Sequence, residues 1–447
     1  MKLEDSQKPA GAENCSALSS SPKSLRKVLV VHASVGSGHK SAALAIQKAF
    51  DMLDAQAELE SASATAKGEP SHPVPYYDVE VLDILQFGRI VFNGDNTASM
   101  FTGATRPFYD ITWRFILTGR LLWGGGTIWA RIMFPKFVEY VDKVRPDAII
   151  CTHITAANVA VSARMLLNAR FPILCVPTDY EAEGLWPHRY TDLFCVANEH
   201  MAETLRARKV PEDRMQITGI PASPAFSETY DATETRRKFG LPQDKQVVLF
   251  QAGATLPRPY VHFRNSIEEI LPYIHRFTKM HMVIVAGKDK DYAAHMRREV
   301  EQRGLENVTV LDFVDDMAAL MAASDLIVCK SGGLTVTECL CVQTPMVLMG
   351  RAYGQEKANV TMLTSTGGAF HVTTSRELLD LLAQVSKHPE ITSAILTNAS
   401  LIRRPHASFD IARATIRLIE AERDELSPLY RRHFMHFYWG HKPAHIR

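Results

Sequence analysis

Ala33-Ser-Val-Gly36-Ser-Gly38-His39-Lys40-Ser41 follows an apolar run at 28–31 and opens a helical pattern over 42–53. A second stretch of the same design, Lys330-Ser331-Gly332-Gly333-Leu334-Thr335-Val336-Thr337-Glu338, follows the apolar run 326–329 and opens another helix. Glycine at a strand-to-helix turn lets backbone come close to a ligand, and a helix N-terminus attracts anionic oxygen. Two such loops, one in each half of the chain, predict two α/β domains facing one cleft. That arrangement suits a phosphorylated donor and a separate acceptor.

Outward from these loops, short apolar strands alternate with helices in both halves, the pattern of parallel α/β sheets. Strands are predicted at 28–32, 79–84, 146–152, 172–177, 193–196 and 215–218, then at 247–251, 281–286, 308–311, 326–329 and 345–349. The polar, Ser-rich residues 1–24 read as a disordered tail, and the small, polar residues 55–75 as an exposed linker. Residues 221–245 carry prolines and charges without a long apolar run, so the boundary falls there. The expected units are a first domain over 25–225, a second over 226–407, and a C-terminal helix and tail over 408–447. The final helix, 408–423, is expected to cross back to the first domain.

The chain has 447 residues and 46% hydrophobic content, enough for two or three domains with sizeable cores. Its formal net charge of +1 gives no global drive toward nucleic acid, which is not expected as a partner. Seven cysteines without a Cys-x-x-Cys pair read as buried reduced thiols of a cytoplasmic protein. No secretory signal and no uncharged apolar run of about 18 residues is found, so a spanning helix is not expected.

Loop one approximates a dinucleotide fingerprint, but Ser41 holds the third glycine position and no acid ends a second strand about 20 residues on, where Asp51 and Asp54 fall inside the helical pattern. A Walker loop fails too, because His39 separates the glycine from Lys40. His39 sits at the mouth of the sheet, where its pKa suits a general base. The alternative is a histidine that only hydrogen-bonds a neighbouring loop. In loop two, Gly332 and Gly333 permit close approach to a diphosphate, and Thr335 and Thr337 offer hydroxyls. Glu338, expected in the first helical turn, suits the cis diol of a ribose or simply caps the helix. Downstream, Gln355, Glu356 and Asn359 offer groups for sugar hydroxyls, or form an ordinary polar loop.

Ordered along the chain, these signatures resemble the monogalactosyldiacylglycerol synthase and processive diacylglycerol glucosyltransferase family. The matching stretches are 33–43 (ASVGSGHKSAA), Val176-Pro-Thr-Asp179-Tyr through Trp186 to Thr218-Gly-Ile-Pro221, Phe313-Val314-Asp315, 330–338 and 354–359. The resemblance covers about residues 26–385. It implies a GT-B architecture, two Rossmann-like domains with parallel sheets facing an interdomain cleft. It also implies an inverting transfer from a UDP-sugar, UDP-glucose or UDP-galactose, with no metal or other cofactor. By that resemblance His39 is the catalytic base and Asp179 a second catalytic candidate. Glu338 binds ribose, Ser331, Gly332 and Gly333 the diphosphate, and Phe313 and Val314 the uracil. Gln355, Glu356 and Asn359 hold the sugar, with Thr335 and Gly253 also at the donor. Gly253 is the single glycine of a loop where the family usually has several. Gly36, Gly38, Trp113, Trp123 and Trp186 are assigned to the acceptor.

Residues 87–137 mix aromatic side chains, Trp113 and Trp123 among them, with arginines and few acids. Such a segment suits an anionic membrane surface, or else a helical hairpin closing the core. The basic-aromatic tail repeats the mixture. The expected function is hexose transfer from a UDP-sugar to a membrane lipid, which the resemblance implies is diacylglycerol, by a peripherally bound cytoplasmic enzyme. A UDP-sugar epimerase or hydrolase would turn over without an acceptor, and a sensor would bind without turnover.

Overall fold

The computed structural model describes residues 25–67, 76–89, 132–181, 186–251, 261–352 and 356–421. Two six-stranded sheets organise it, and every strand pairing in both is parallel. The first comprises β1 (Leu25–His32), β2 (Tyr76–Asp83), β3 (Ala148–Cys151), β4 (Ile173–Cys175), β5 (Leu193–Val196) and β6 (Met215–Ile217). The second comprises β7 (Gln246–Gln251), β8 (Met280–Val285), β9 (Val308–Leu311), β10 (Leu326–Cys329), β11 (Met346–Met349) and β12 (Phe370–Val372). The central strands are short and wholly apolar because helices cover both faces.

Sheet order positions the site. The first sheet runs β2-β1-β3-β4-β5-β6, so the chain reverses direction between β1 and β3. The second runs β12-β11-β10-β7-β8-β9 and reverses between β7 and β10. Open α/β sheets bind ligands at such reversals, beyond the strands' C-terminal ends. Loop one follows β1 and loop two follows β10, so each glycine loop stands at its sheet's reversal.

The first helix spans Ser37–Ala66 and runs through half of the stretch expected to be a linker. Residues 55–66 are rich in alanine and glutamate, strong helix formers, and their polarity marks a solvated face. β12 and the helices Ser375–Lys387 and Ile391–Ile402 extend the second half beyond the expected strands. Helix Ala407–Glu420 returns to pack on helix Ser37–Ala66, with Ile411 and Ala412 joining Val28 and Ile46 in one buried cluster. The expected crossing back is therefore present. Its approach is tight at Gly219, whose φ is +90° and where a Cβ would lie 2.4 Å from Arg404 Cβ. All six described cysteines are free and buried. Burial pushes the Cys151 and Cys175 thiols well up, so they behave as small core residues.

Candidate active site

Both glycine loops open into one cleft of about 530 Å³, lined from the two halves of the chain. Its walls include Gly36, Gly38, His39, Thr178 and Asp179 from the first half. Phe313, Val314, Lys330, Gly332, Gly333, Thr335, Glu338 and Glu356 line it from the second. The loops nearly touch: a Cβ on Gly38 would lie 3.9 Å from Leu334 Cβ.

Helix ends explain what the cleft attracts. Helices Ser37–Ala66 and Gly333–Val342 start after Gly36 and Gly332, and no side chain caps either one. Asn198, Asp231, Asp289, Asp316 and Thr374 cap their helices, whereas helices Pro135–Val144, Ile391–Ile402 and Ala407–Glu420 also lack a side-chain cap; the two glycine-loop helices differ in that their first turns line the cleft. The uncapped backbone N–H groups at the two glycine loops are thus available to oxygen anions, with the helix dipole behind them. Lys330 adds a positive charge beside Gly332, with its Nζ 4.0 Å from Glu356 Oε1.

His39 lies in the first turn of its helix and is held by the loop after β3. The Thr152 carbonyl sits 3.0 Å from Nδ1 and can only accept, so Nδ1 carries the proton. Thr178 Oγ1 stands 2.9 Å from the same nitrogen. The Thr152 hydroxyl donates to the His39 carbonyl at 3.0 Å, fixing the backbone as well. Nε2 therefore keeps its lone pair, the form a general base needs. Burial holds the imidazole pKa below its ordinary 6.5, opposed by the charge of Asp179 and the Thr152 bond. His153 packs edge-on against His39 with centroids 4.7 Å apart, and burial holds its pKa well below 6.5. Its Nδ1 accepts from Thr155 N at 3.1 Å, so it too is neutral.

Glu338 stands in the second turn of its helix rather than the first, because the helix begins at Gly333. There it reaches the cleft floor instead of capping the helix. Desolvation pushes its carboxyl up to about 8. Phe313 is 46% exposed at the cleft edge, with Lys288 Nζ 5.1 Å from its ring centroid. That leaves a flat apolar face open beside Val314.

Three expected site residues are placed elsewhere. Trp186 is buried in the core of the first half, edge-on to Phe194 at 6.4 Å, because its indole completes the packing over β5. Ser331 is buried and outside the cleft lining. Asn359 is fully buried: its amide donates to Asp179 Oδ1 at 3.1 Å and to the Ser331 carbonyl at 2.9 Å. The Asn359 oxygen accepts from Tyr180 N at 3.0 Å. Thr337 is committed as well, donating to the Gly333 carbonyl at 2.8 Å. Gly253, Gln355, Trp113 and Trp123 lie outside the described residues, as do the tail and most of the segment 87–137. Conversely, the cleft contains Lys48, Lys330 and Gln251, which motif reading did not assign. Gln251 ends β7 at the sheet reversal, and its buried Oε1 has no hydrogen-bond partner among the described residues. Its position at a strand end was the available signal.

Comparison with known proteins agrees with this geometry. Residues 108–222 match the family model for monogalactosyldiacylglycerol (MGDG) synthase, and residues 259–400 match the glycosyltransferase family 28 C-terminal domain. The processive diacylglycerol β-glucosyltransferase of Staphylococcus saprophyticus is 26% identical over 284 residues, 64% of this chain and 70% of that protein. Its counterpart in Staphylococcus epidermidis is 26% identical over 308 residues, 67% of this chain and 76% of that protein. Among solved structures, Acinetobacter baumannii MurG aligns with a TM-score of 0.53 at 15% identity, covering 88% of this chain and 99% of its own. The UDP-GlcNAc 2-epimerase of Neisseria meningitidis bound to UDP-GlcNAc aligns at 0.54 and 15%, over 87% and 99%. The fold is GT-B, and the chain is a glycosyltransferase of that architecture. It is similar to the MGDG synthases over part of its first half and to the glycosyltransferase family 28 C-terminal domain in its second, and to the processive diacylglycerol glucosyltransferases over about two thirds of its length.

Proposed function

We propose that this glycosyltransferase moves a hexose from a UDP-sugar to diacylglycerol or a closely related membrane lipid, with inversion at the anomeric carbon. The observation that carries the reading is the single cleft in which His39 of one sheet faces Glu338 and an uncapped helix N-terminus of the other. Phe313 and Val314 offer a flat apolar edge for uracil. The Glu338 carboxylate accepts hydrogen bonds from both ribose hydroxyls. Gly332, Gly333 and Thr335 at the helix N-terminus, with Lys330, meet the diphosphate charge. Glu356, and Gln355 beside it in sequence, engage the hexose.

In the reaction His39 Nε2 takes the proton of the acceptor hydroxyl. The oxygen attacks the anomeric carbon from the face opposite the diphosphate, the new C–O bond forms and the bond to UDP breaks. The leaving oxygen's charge falls on the N–H groups of helix Gly333–Val342 and on Lys330, so no metal enters the proposal. The acceptor enters past Gly36 and Gly38, and the aromatic–arginine segment 87–137 rests the enzyme on the cytoplasmic face of an anionic membrane. No described helix is long and apolar enough to cross one.

The test is UDP release from UDP-glucose and UDP-galactose, with and without diacylglycerol in liposomes, in the presence and absence of EDTA. Lipid-dependent release that survives EDTA and falls by about 10²–10⁴-fold in His39→Ala is expected. Release without lipid would instead favour epimerase or hydrolase chemistry, and UDP binding without release would favour a sensor.

A further inference from the structure

The two halves of the cleft are tied together by a set of contacts at and beneath its floor. The loop after β4, residues 176–181, carries Thr178, Asp179 and Tyr180. Three parts of the second half grip it. Asn359 of helix Glu356–Ser365 binds the Asp179 carboxylate and the Tyr180 amide at 3.1 and 3.0 Å. Because the Thr337 hydroxyl already donates to Gly333, the Tyr180 hydroxyl donates to Thr337, at 3.0 Å. Gly333 lies so close that a Cβ there would come 2.2 Å from the Thr178 carbonyl oxygen. Asn359 is fully buried, and both of its amide hydrogens and its oxygen are engaged by protein.

We infer that Asn359 is an interdomain positioning residue rather than a ligand of the donor sugar: it holds Asp179 in place beside His39 and locks the loop 176–181 to the donor half. Three points lead there. The side chain is fully buried outside the cleft lining, with both amide hydrogens and its oxygen already bonded within the protein. Its partners are separated by 179 and 180 positions in sequence, so the bonds exist only when the two halves are together. Glu356, which lines the cleft, stands one helical turn before Asn359 on the same helix. Occupation of the cleft at Glu356 therefore stiffens the helix that orients Asp179, and the base is set in register when the donor half is engaged.

This inference rests on the proposed transfer reaction for its kinetic arm, so its test has a second arm that does not. The kinetic arm is a double-mutant cycle with Asn359→Ala and Asp179→Asn, read as kcat and donor KM. Asn359→Ala is expected to lower kcat by about 10- to 100-fold with donor KM changed less than about threefold. In the Asp179→Asn background the same change is expected to cost less than in the unsubstituted protein, because the carboxylate charge it positions is gone while its bonds to Tyr180 N and the Ser331 carbonyl remain. Tyr180→Phe, a milder loosening of the same latch that keeps the ring, is expected to cost about fivefold in kcat. The second arm is hydrogen–deuterium exchange on the protein without substrate. Faster exchange in segments 178–181 and 331–335 is expected for Asn359→Ala, with both sheets protected as in the unsubstituted protein. An unchanged exchange pattern overturns the latch even if the enzyme proves inactive on every lipid tried. A rise in donor KM with kcat intact, or lost discrimination between UDP-glucose and UDP-galactose, overturns it in favour of a sugar ligand. Multiplicative losses in the double variant also overturn it. Absence of turnover in the unsubstituted enzyme counts against the transfer reaction alone.

Discussion

Gly333→Ala tests the meeting of the two halves directly. The added Cβ would lie 2.2 Å from the Thr178 carbonyl oxygen, 3.0 Å from Asp179 Oδ1 and 3.2 Å from Asp179 Cα. Carbon and its non-bonded neighbours are comfortable at roughly 3.5 Å, so the shortfall at the worst contact is about 1 Å. None of the three neighbours is the far end of a flexible side chain. One is backbone oxygen, and the others belong to a residue clamped by Asn359. Relief must come from separating loop 176–181 from the start of helix Gly333–Val342. Overpacking of this kind costs about 1–3 kcal/mol of the closed arrangement. A displacement of about 1 Å between His39 and the donor site costs on the order of 10²-fold in rate. The assay is lipid-dependent UDP release with a thermal melt alongside. Gly332→Ala serves as the control for the melt, since its Cβ would meet nothing nearer than Lys330 Cε at 3.6 Å and its φ is an ordinary −67°. A Gly333→Ala protein with unchanged kcat and unchanged melting would refute the packing of the halves described here.

Glu338 carries a pH signature. Its folded-state pKa of about 8 lies above the ordinary 4.5, so the folded protein holds this proton more tightly than the unfolded chain. The associated stability is complete below about 4.5, declines as pH rises and levels off above about 8, whereas Glu338→Gln is expected to flatten that part of the profile. UDP should bind more tightly as pH approaches 8 and release a proton on binding at pH 7; calorimetry in buffers of different ionisation enthalpy reads this, and a pH-independent affinity would remove Glu338 from the ribose. At His39, Asp179 opposes the lowering by burial. Asp179→Asn is therefore expected to move the acid limb of kcat/KM to lower pH while the plateau falls, and an unmoved limb would show that its charge does not reach the imidazole. In the core, Arg164 and Asp192 form an ion pair with both side chains only 5% exposed, and Asp192 also accepts from Ile173 N at 2.7 Å. Asp192→Ala leaves the guanidinium without its counter-charge, though still bonded to the Phe171 and Tyr190 carbonyls, and should cost about 3–5 kcal/mol in urea unfolding; a loss under about 1 kcal/mol would contradict this account.

Much of the fold was legible because its signals are local. Apolar runs such as 28–31 and 326–329, each followed by glycines and a helical period, specify strand, turn and helix within a dozen or so residues. Their repetition in both halves specifies two parallel sheets. Where local reading failed, a local propensity had been misjudged: 55–66 looked like a linker because it is polar, although alanine and glutamate favour helix. The site was legible to the same depth. Strand-end position pointed to His39, Gly332, Gly333, Glu338 and Glu356, all of which line the cleft, because parallel sheets present their strand C-termini to one crevice. It could not separate cleft residues from those beneath them.

Motif position alone gives Trp186 and Asn359 the same standing as Phe313 and Glu356. In the folded protein Trp186 completes a core and Asn359 bridges the halves, since burial depends on what packs above a residue. Gly332 and Gly333 are adjacent and chemically identical, yet only Gly333 faces a backbone oxygen across the junction. Local signals along the chain specify the elements, the order in which they alternate and the chemical groups available at the strand ends. Tertiary structure decided which of those groups share the cleft, which tautomer His39 holds, and how far desolvation raises Glu338. Those properties arise between residues far apart along the chain, and they exist only once sheet order and closure of the two halves have brought them within a few ångströms.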